Sequence, residues 1–263
     1  VLYAHDDFEW GTQPGLDQLT SGFQGYNGRY LGNLIVMALT RSALLRTIFM
    51  AACLFFTITL SALFVGGARS LPLMTALFLM LPVIIARQTL GWVSGFANYG
   101  TAAVFIAALF YAVRGLFADV PQPQHRAAAL PMLLLGLFGA MLMENVTIFF
   151  VFMPLGFYLY ARRRGIASTP PLLCSLGALF GAALMFSNPV YRSIAQGRDA
   201  YRSVMPFTHP LRALFACFDT FCREMTVPLL MDALALLLVL SGLCVALLLS
   251  GGPKGLFARL CAE

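Results

Sequence analysis

The sequence predicts an all-α, polytopic transmembrane bundle of about seven spans. Three observations lead there. Apolar residues make up 60 % of the chain and charged residues only 11 %, whereas a soluble domain carries about 25 % charge, so there is too little polar surface to face water on all sides. Mean hydropathy is +0.82. The apolar runs approach the roughly 20 residues that a helix needs to cross a bilayer. They are rich in Leu, Ala, Phe, Gly and Met without period-2 alternation, which argues against a barrel.

In chain order, residues 1–43 form an outer segment carrying an acidic motif, HDDFEW, and a short apolar stretch, YLGNLIVMALTRSA at 30–43, too short to span and suited to lie in the interface. The chain starts at Val1 with no hydrophobic span before the acidic motif, so a fragment lacking an upstream helix is expected. The transmembrane core, 44–187, contains spans at 44–68, 71–87, 100–118, 127–143, 145–161 and 170–187. GGARS at 66–70 marks a tight turn, and the prolines of DVPQPQHR at 119–126 prevent one continuous helix. A second outer loop covers 188–227, and a last span at 228–250 leads to a cytoplasmic tail within 228–263. Of the 6 cysteines, most sit in apolar runs and behave as small hydrophobes. Cys217 and Cys222 are five apart in a loop, which without His or further Cys is no zinc signature. The net charge of +6 comes mostly from arginines at helix ends, where anionic lipid headgroups are the ordinary partners; nucleic acid is not expected.

Orientation follows from Arg162, Arg163 and Arg164, the dense basic cluster of a short loop, which belongs in the cytoplasm. Alternation then places the N-terminal segment, the 88–99 turn, the turn at Glu144 and the 188–227 loop outside. Five polar clusters fall on that one face: His5–Asp7, Asn27–Asn33, Trp92–Tyr99, Glu144–Asn145 and Ser187–Arg192. A shared face is what a single active site needs.

Each cluster also has a plainer explanation. Glu144 and Asn145 interrupt two apolar runs and are either a tight turn or a functional pair, since a turn normally uses Gly, Pro or several polar residues. Trp92 and Tyr99 suit headgroup depth, but Ser94, Gly95 and Asn98 beside them offer close approach and hydrogen bonds to a polyhydroxyl ligand. Asn188 before Pro189 is an ordinary helix stop, and Arg192 serves lipid phosphate or a specific phosphate. Asp6 and Asp7 are either a solvated acidic loop or a pair in which one carboxylate acts and the other positions it or holds a cation, because adjacent residues do not point the same way. The aromatics Phe8 and Trp10 follow, and then Tyr26, Asn27, Gly28, Arg29 and Tyr30 as a compact donor set.

The order of these motifs, DD, NGRY, W-x-S-G-x-x-N-Y, EN between two spans and SNPxxR, spans roughly residues 3–192. It resembles bacterial membrane glycosyltransferases of the GT-C class, most closely the O-antigen glucosyltransferase type and its uncharacterised relatives. The resemblance implies a multi-span transferase of the bacterial inner membrane that uses a polyprenyl-phosphate-linked sugar on the periplasmic or extracellular side, in building a cell-envelope polysaccharide. It implies a catalytic carboxylate in the first outer loop, at Asp6 or Asp7, with Asp7 preferred.

The residues fit that chemistry. Transfer from a lipid phosphate needs a base for the acceptor hydroxyl and positive charge for the departing phosphate. Asp6 or Asp7 supplies the base; Arg29, Arg192 or Arg198 holds the phosphate, because the guanidinium fork matches its oxygens. Tyr30, Asn27, Trp92, Asn98, Glu144, Asn145 and Asn188 are candidates for substrate binding. No cofactor is assigned; Asp6 and Asp7 could hold a divalent cation, though no third oxygen ligand is identifiable. The expected partners are the lipid-linked donor, a glycan or lipid acceptor, and membrane lipids. The competing readings are a transporter or flippase for a lipid-linked or small anionic substrate, and a non-catalytic membrane assembly subunit.

Overall fold

The computed structural model describes residues 6–118, 120, 122, 125–198, 215, 216, 218, 219 and 223. His5, Asp199, Asp232, Cys217, Cys222, the expected span 228–250, its tail and most of the 199–227 stretch lie outside the described residues. Among the described residues all regular structure is helical. The chain runs through α1 (Asp7–Trp10), α2 (Gln13–Thr20), α3 (Tyr30–Arg41), α4 (Ala43–Val65), α5 (Leu71–Leu79), α6 (Val83–Leu90), α7 (Val93–Val113), α8 (Ala129–Ala140), α9 (Glu144–Arg163), α10 (Pro170–Phe186) and α11 (Pro189–Ala195).

Three helices, α4, Val93–Phe117 (α7 with the 3-10 turn that follows it) and α9, are long and apolar enough to cross a membrane. The pair α10 and α11, bent by 74° at its break, makes a fourth if taken as one span. Large apolar side chains such as Phe55, Phe56, Ile148, Phe152, Leu176 and Phe180 stand exposed on α4, α9 and α10, an arrangement compatible with an integral membrane protein.

This differs from seven uninterrupted spans at definite points. The stretch 71–87 is two short helices, because Pro82 has no N–H to give and restricts the residue before it. The stretch 127–143 holds only the 12-residue α8. The third span begins at Val93 rather than 100, so most of the expected 88–99 turn is helix. Glu144 opens α9 instead of forming a turn, and Asn188 and Pro189 start α11, with the Asn188 Oδ1 accepting from the Val190 N–H at 3.0 Å.

Packing fixes the directions. Near the end of α4, Phe64 meets Phe110 and Phe117 at ring-centroid distances of 5.3 and 6.2 Å, while the start of α4 follows directly on α3, which packs against α7. Helices α4 and α7 therefore run in the same direction, with α5 and α6 carrying the chain back. Helices α8 and α10 lie side by side and form the most extensive helix pair of the fold. Their seam is lined by Gly136 of α8 and by Gly177 and Gly181, a G-x-x-x-G pair on α10. A Cβ at Gly136 would collide with the Cys174 carbonyl oxygen, and one at Gly177 with that of Leu133. In lipid, where helices gain little from hiding apolar surface, such small-residue seams supply close van der Waals contact instead.

The seam generates a first prediction. Gly177→Ala should lower stability by about 1–3 kcal/mol, since the obstacle is backbone that cannot rotate away. Leu179→Ala, at an exposed position on the same helix, should change it little; melting of the two variants in one detergent makes the comparison.

Candidate functional site

The polar clusters meet where the starts of α7 and α9 and the join between α10 and α11 face the segment 6–33. Their anchor is Asp7, which is completely buried. One Asp7 oxygen, Oδ2, accepts from the Val93 N–H at 2.9 Å; the other, Oδ1, accepts from the Ser94 N–H at 2.8 Å and the Ser94 hydroxyl at 2.5 Å. These are the orphan donors of the first turn of α7, whose own N-cap position, Trp92, makes no side-chain cap. A carboxylate from far away in sequence thus caps the helix, where the helix dipole also favours negative charge. Three charge-assisted bonds offset the cost of burying it.

With its two oxygens engaged, Asp7 does not present a carboxylate beside that of Asp6. Asp6 is only half-buried, and its Oδ2 accepts from the Tyr26 hydroxyl at 3.1 Å. The adjacent acids therefore face different surroundings. No group of three or more His, Cys, Asp or Glu side chains suited to a metal occurs among the described residues.

Tyr26 is held in turn by an aromatic cluster. Its ring stands edge-on to Trp10 at 5.1 Å, and Phe23 lies 6.2 Å from Trp10 and 6.1 Å from Tyr30. Arg41, ending α3, donates from Nη1 to the Trp10 carbonyl at 2.8 Å and from Nη2 to that of Thr12 at 3.1 Å. That clamp closes the end of α1.

A second group joins three distant segments. Arg29 grips Glu144 as a fork, with Nε 3.1 and 3.0 Å from Oε1 and Oε2 and Nη2 2.8 Å from Oε2. The Tyr191 hydroxyl donates to Glu144 Oε1 at 2.7 Å. Both charged side chains are about one-third exposed, at 30 % and 31 %. Burial works to lower the Arg29 pKa, but the hydrogen bond and charge of Glu144, with smaller contributions from Tyr191 and Tyr99, leave it raised, so Arg29 stays cationic. The Arg29 Nη1 makes no hydrogen bond among the described residues and remains open to an anion.

The asparagines do different work. Asn27 Oδ1 accepts from the Arg29 N–H at 2.9 Å and from Asn33 Nδ2 at 3.0 Å. Asn188 Nδ2 donates to the carbonyls of Phe23 and Asn27, each at 2.9 Å, and lies 3.5 Å from the Tyr30 hydroxyl. All three asparagines are buried, and their bonds tie the 23–33 segment together. Gly28 within that loop lies against the Met185 carbonyl and the Tyr191 ring, with no room for a Cβ.

The remaining candidates are spread along the rim. The Trp92 indole N–H donates to the Gln88 carbonyl at 2.6 Å. Asn98 Nδ2 donates to the Ser94 carbonyl at 2.8 Å, while its buried Oδ1 has no hydrogen-bond partner. Asn145 Oδ1 accepts from the Val146 N–H at 2.9 Å, turned toward its own helix. Arg192 is exposed and makes no ion pair among the described residues. Tyr191 is the partner that sequence reasoning passed over; it carries no local signal, because its partner is 47 residues away.

Comparison with protein-family models, with curated proteins and with solved structures finds no match.

Two predictions follow from this geometry. Asp7→Asn replaces an acceptor by an amide N–H facing the donors of α7, and should cost about 1–3 kcal/mol in thermal or denaturant unfolding. In a double-mutant cycle, Arg29→Gln and Glu144→Gln should show a coupling of about 1 kcal/mol, the scale for a fork still partly screened by solvent.

Proposed function

We propose that the protein is an integral membrane glycosyltransferase of the GT-C type, moving a sugar from a polyprenyl-phosphate donor to a cell-envelope glycan or lipid acceptor on the outer side of the membrane. The observation that supports this most is the division of labour between adjacent aspartates: Asp7 is buried as a helix cap, while Asp6 is half-buried and oriented by the Tyr26 hydroxyl. A fixed carboxylate with one oxygen tethered and the other available is the arrangement a general base requires.

In this scheme the acceptor hydroxyl oxygen attacks the anomeric carbon and its proton passes to Asp6. The bond from that carbon to the phosphate oxygen breaks, and the electron pair leaves with the lipid phosphate. Arg29, through Nη1, and the exposed Arg192 supply positive charge to the departing phosphate. Glu144 and Tyr191 hold the Arg29 fork in one orientation, which makes them positioning residues. Trp92 and Asn98 are the aromatic face and the amide assigned to the sugar ring in this reading.

Charge distribution favours this reading over transport. Helices α7, α8 and α10 contain no charged residue, and α9 has none between Glu144 and Arg162. A transporter path needs ionisable groups at several depths; the acids and bases here gather at helix ends.

Asp6→Asn should leave the melting temperature unchanged and reduce sugar transfer from a polyprenyl-phosphate donor by about 100-fold or more. Full transfer by that variant in proteoliposomes would remove Asp6 as the base, and a second variant, Arg192→Gln, should raise the donor KM if the arginine holds phosphate.

A further inference from the structure

We infer that the opposite end of the helices carries a binding site for an anionic phospholipid. A cavity of about 950 Å³ opens there, its apolar walls including Phe64, Val65 and Phe117 and its polar side Arg114, Gln122 and His125. The volume lies in the range of pockets that hold small amphiphiles, about 300–1,000 Å³. It is separated from Asp7 by the 21 residues of α7, about 32 Å at 1.5 Å per residue, so it is distinct from the site above and does not rest on glycosyl transfer.

Charge identifies the occupant. Among the described residues that line the cavity none is acidic, and Arg114 is basic. Arg114 is exposed, and its guanidinium is held over the Tyr111 ring at 3.8 Å while its Nη1 donates to the Tyr111 carbonyl at 2.9 Å. Phe117 stacks on Tyr160 at 5.5 Å and 21°, which brings the end of α9 alongside. That end contributes Arg162, Arg163 and Arg164, all exposed. A largely apolar hollow with Arg114 on its polar side, and with the basic end of α9 next to its Phe117 wall, at the end of helices fit to span a bilayer, suits acyl chains below a phosphate headgroup. A zwitterionic headgroup lacks the net charge to use it.

The test is native mass spectrometry of the full chain in mild detergent, doped with either phosphatidylglycerol or phosphatidylcholine. Phosphatidylglycerol should be retained at least about fivefold better, and Arg114→Gln should reduce its retention about fivefold, the weight of one basic residue at an anionic surface. Ala112→Trp, filling the cavity, should abolish retention. Arg87→Gln, at an exposed position near the other end, should leave it unchanged. Equal retention of the two lipids overturns the proposal. So does undiminished retention in Arg114→Gln; because Arg114 is a surface residue, that variant decides the matter even if Ala112→Trp fails to fold.

Discussion

The arrangement rests on one buried carboxylate. A helix beginning in apolar surroundings exposes N–H groups that nothing nearby can satisfy, and α7 begins with Val93 and Ser94 behind a tryptophan that offers no cap. Asp7 supplies the acceptor from 86 residues away. Because those donors fix Asp7, they also fix its neighbour: Asp6 cannot move independently of the start of α7, and Tyr26 then sets its remaining freedom. The acid that faces outward is held by the acid that does not.

The Arg29 fork shows the same economy. Glu144 stands in the first turn of α9, where the helix dipole favours it, and Arg29 and Tyr191 approach from either side. A lone guanidinium this close to apolar helices would be costly to desolvate. Paired on one edge, it remains cationic and keeps its other edge for an anion. Partial exposure matters here, because a fully buried pair would be a strut with no means of meeting a substrate.

How much of this was legible in the sequence depended on the range of each interaction. Composition and the apolar runs were enough for an all-helical architecture, since they report on local physics. Span boundaries failed where a distant partner decides them: α7 begins seven residues early because Asp7 caps it, and no local pattern announces that. Pro82 broke the 71–87 stretch by a rule readable in place, yet the run's hydropathy outweighed it. Within the site, Asp6, Asp7, Arg29 and Glu144 stood out as charges in an apolar chain. Their pairings did not, and the internal bonds of Asn27 and Asn188 were not foreseeable either, because an amide that ties the chain together and one that binds a ligand look alike in one dimension. The glycine seam of α8 and α10 was visible as G-x-x-x-G but drew no attention beside the charged motifs.

The bonds of Asn188 also bear on how the molecule is made. Its amide satisfies two carbonyls in a loop more than 160 residues earlier, one of them belonging to Phe23, whose φ of +60° is strained for a residue with a side chain. During synthesis at about 5–20 residues per second, residues 23–33 must wait on the order of ten seconds before that partner emerges. Until α10 has entered the bundle, the loop is held only by its own contacts, and the N-terminal acids lack their final setting. Assembly of the site is thus among the last events of folding, so a chain interrupted before residue 188 would insert its early helices and remain without a finished polar end.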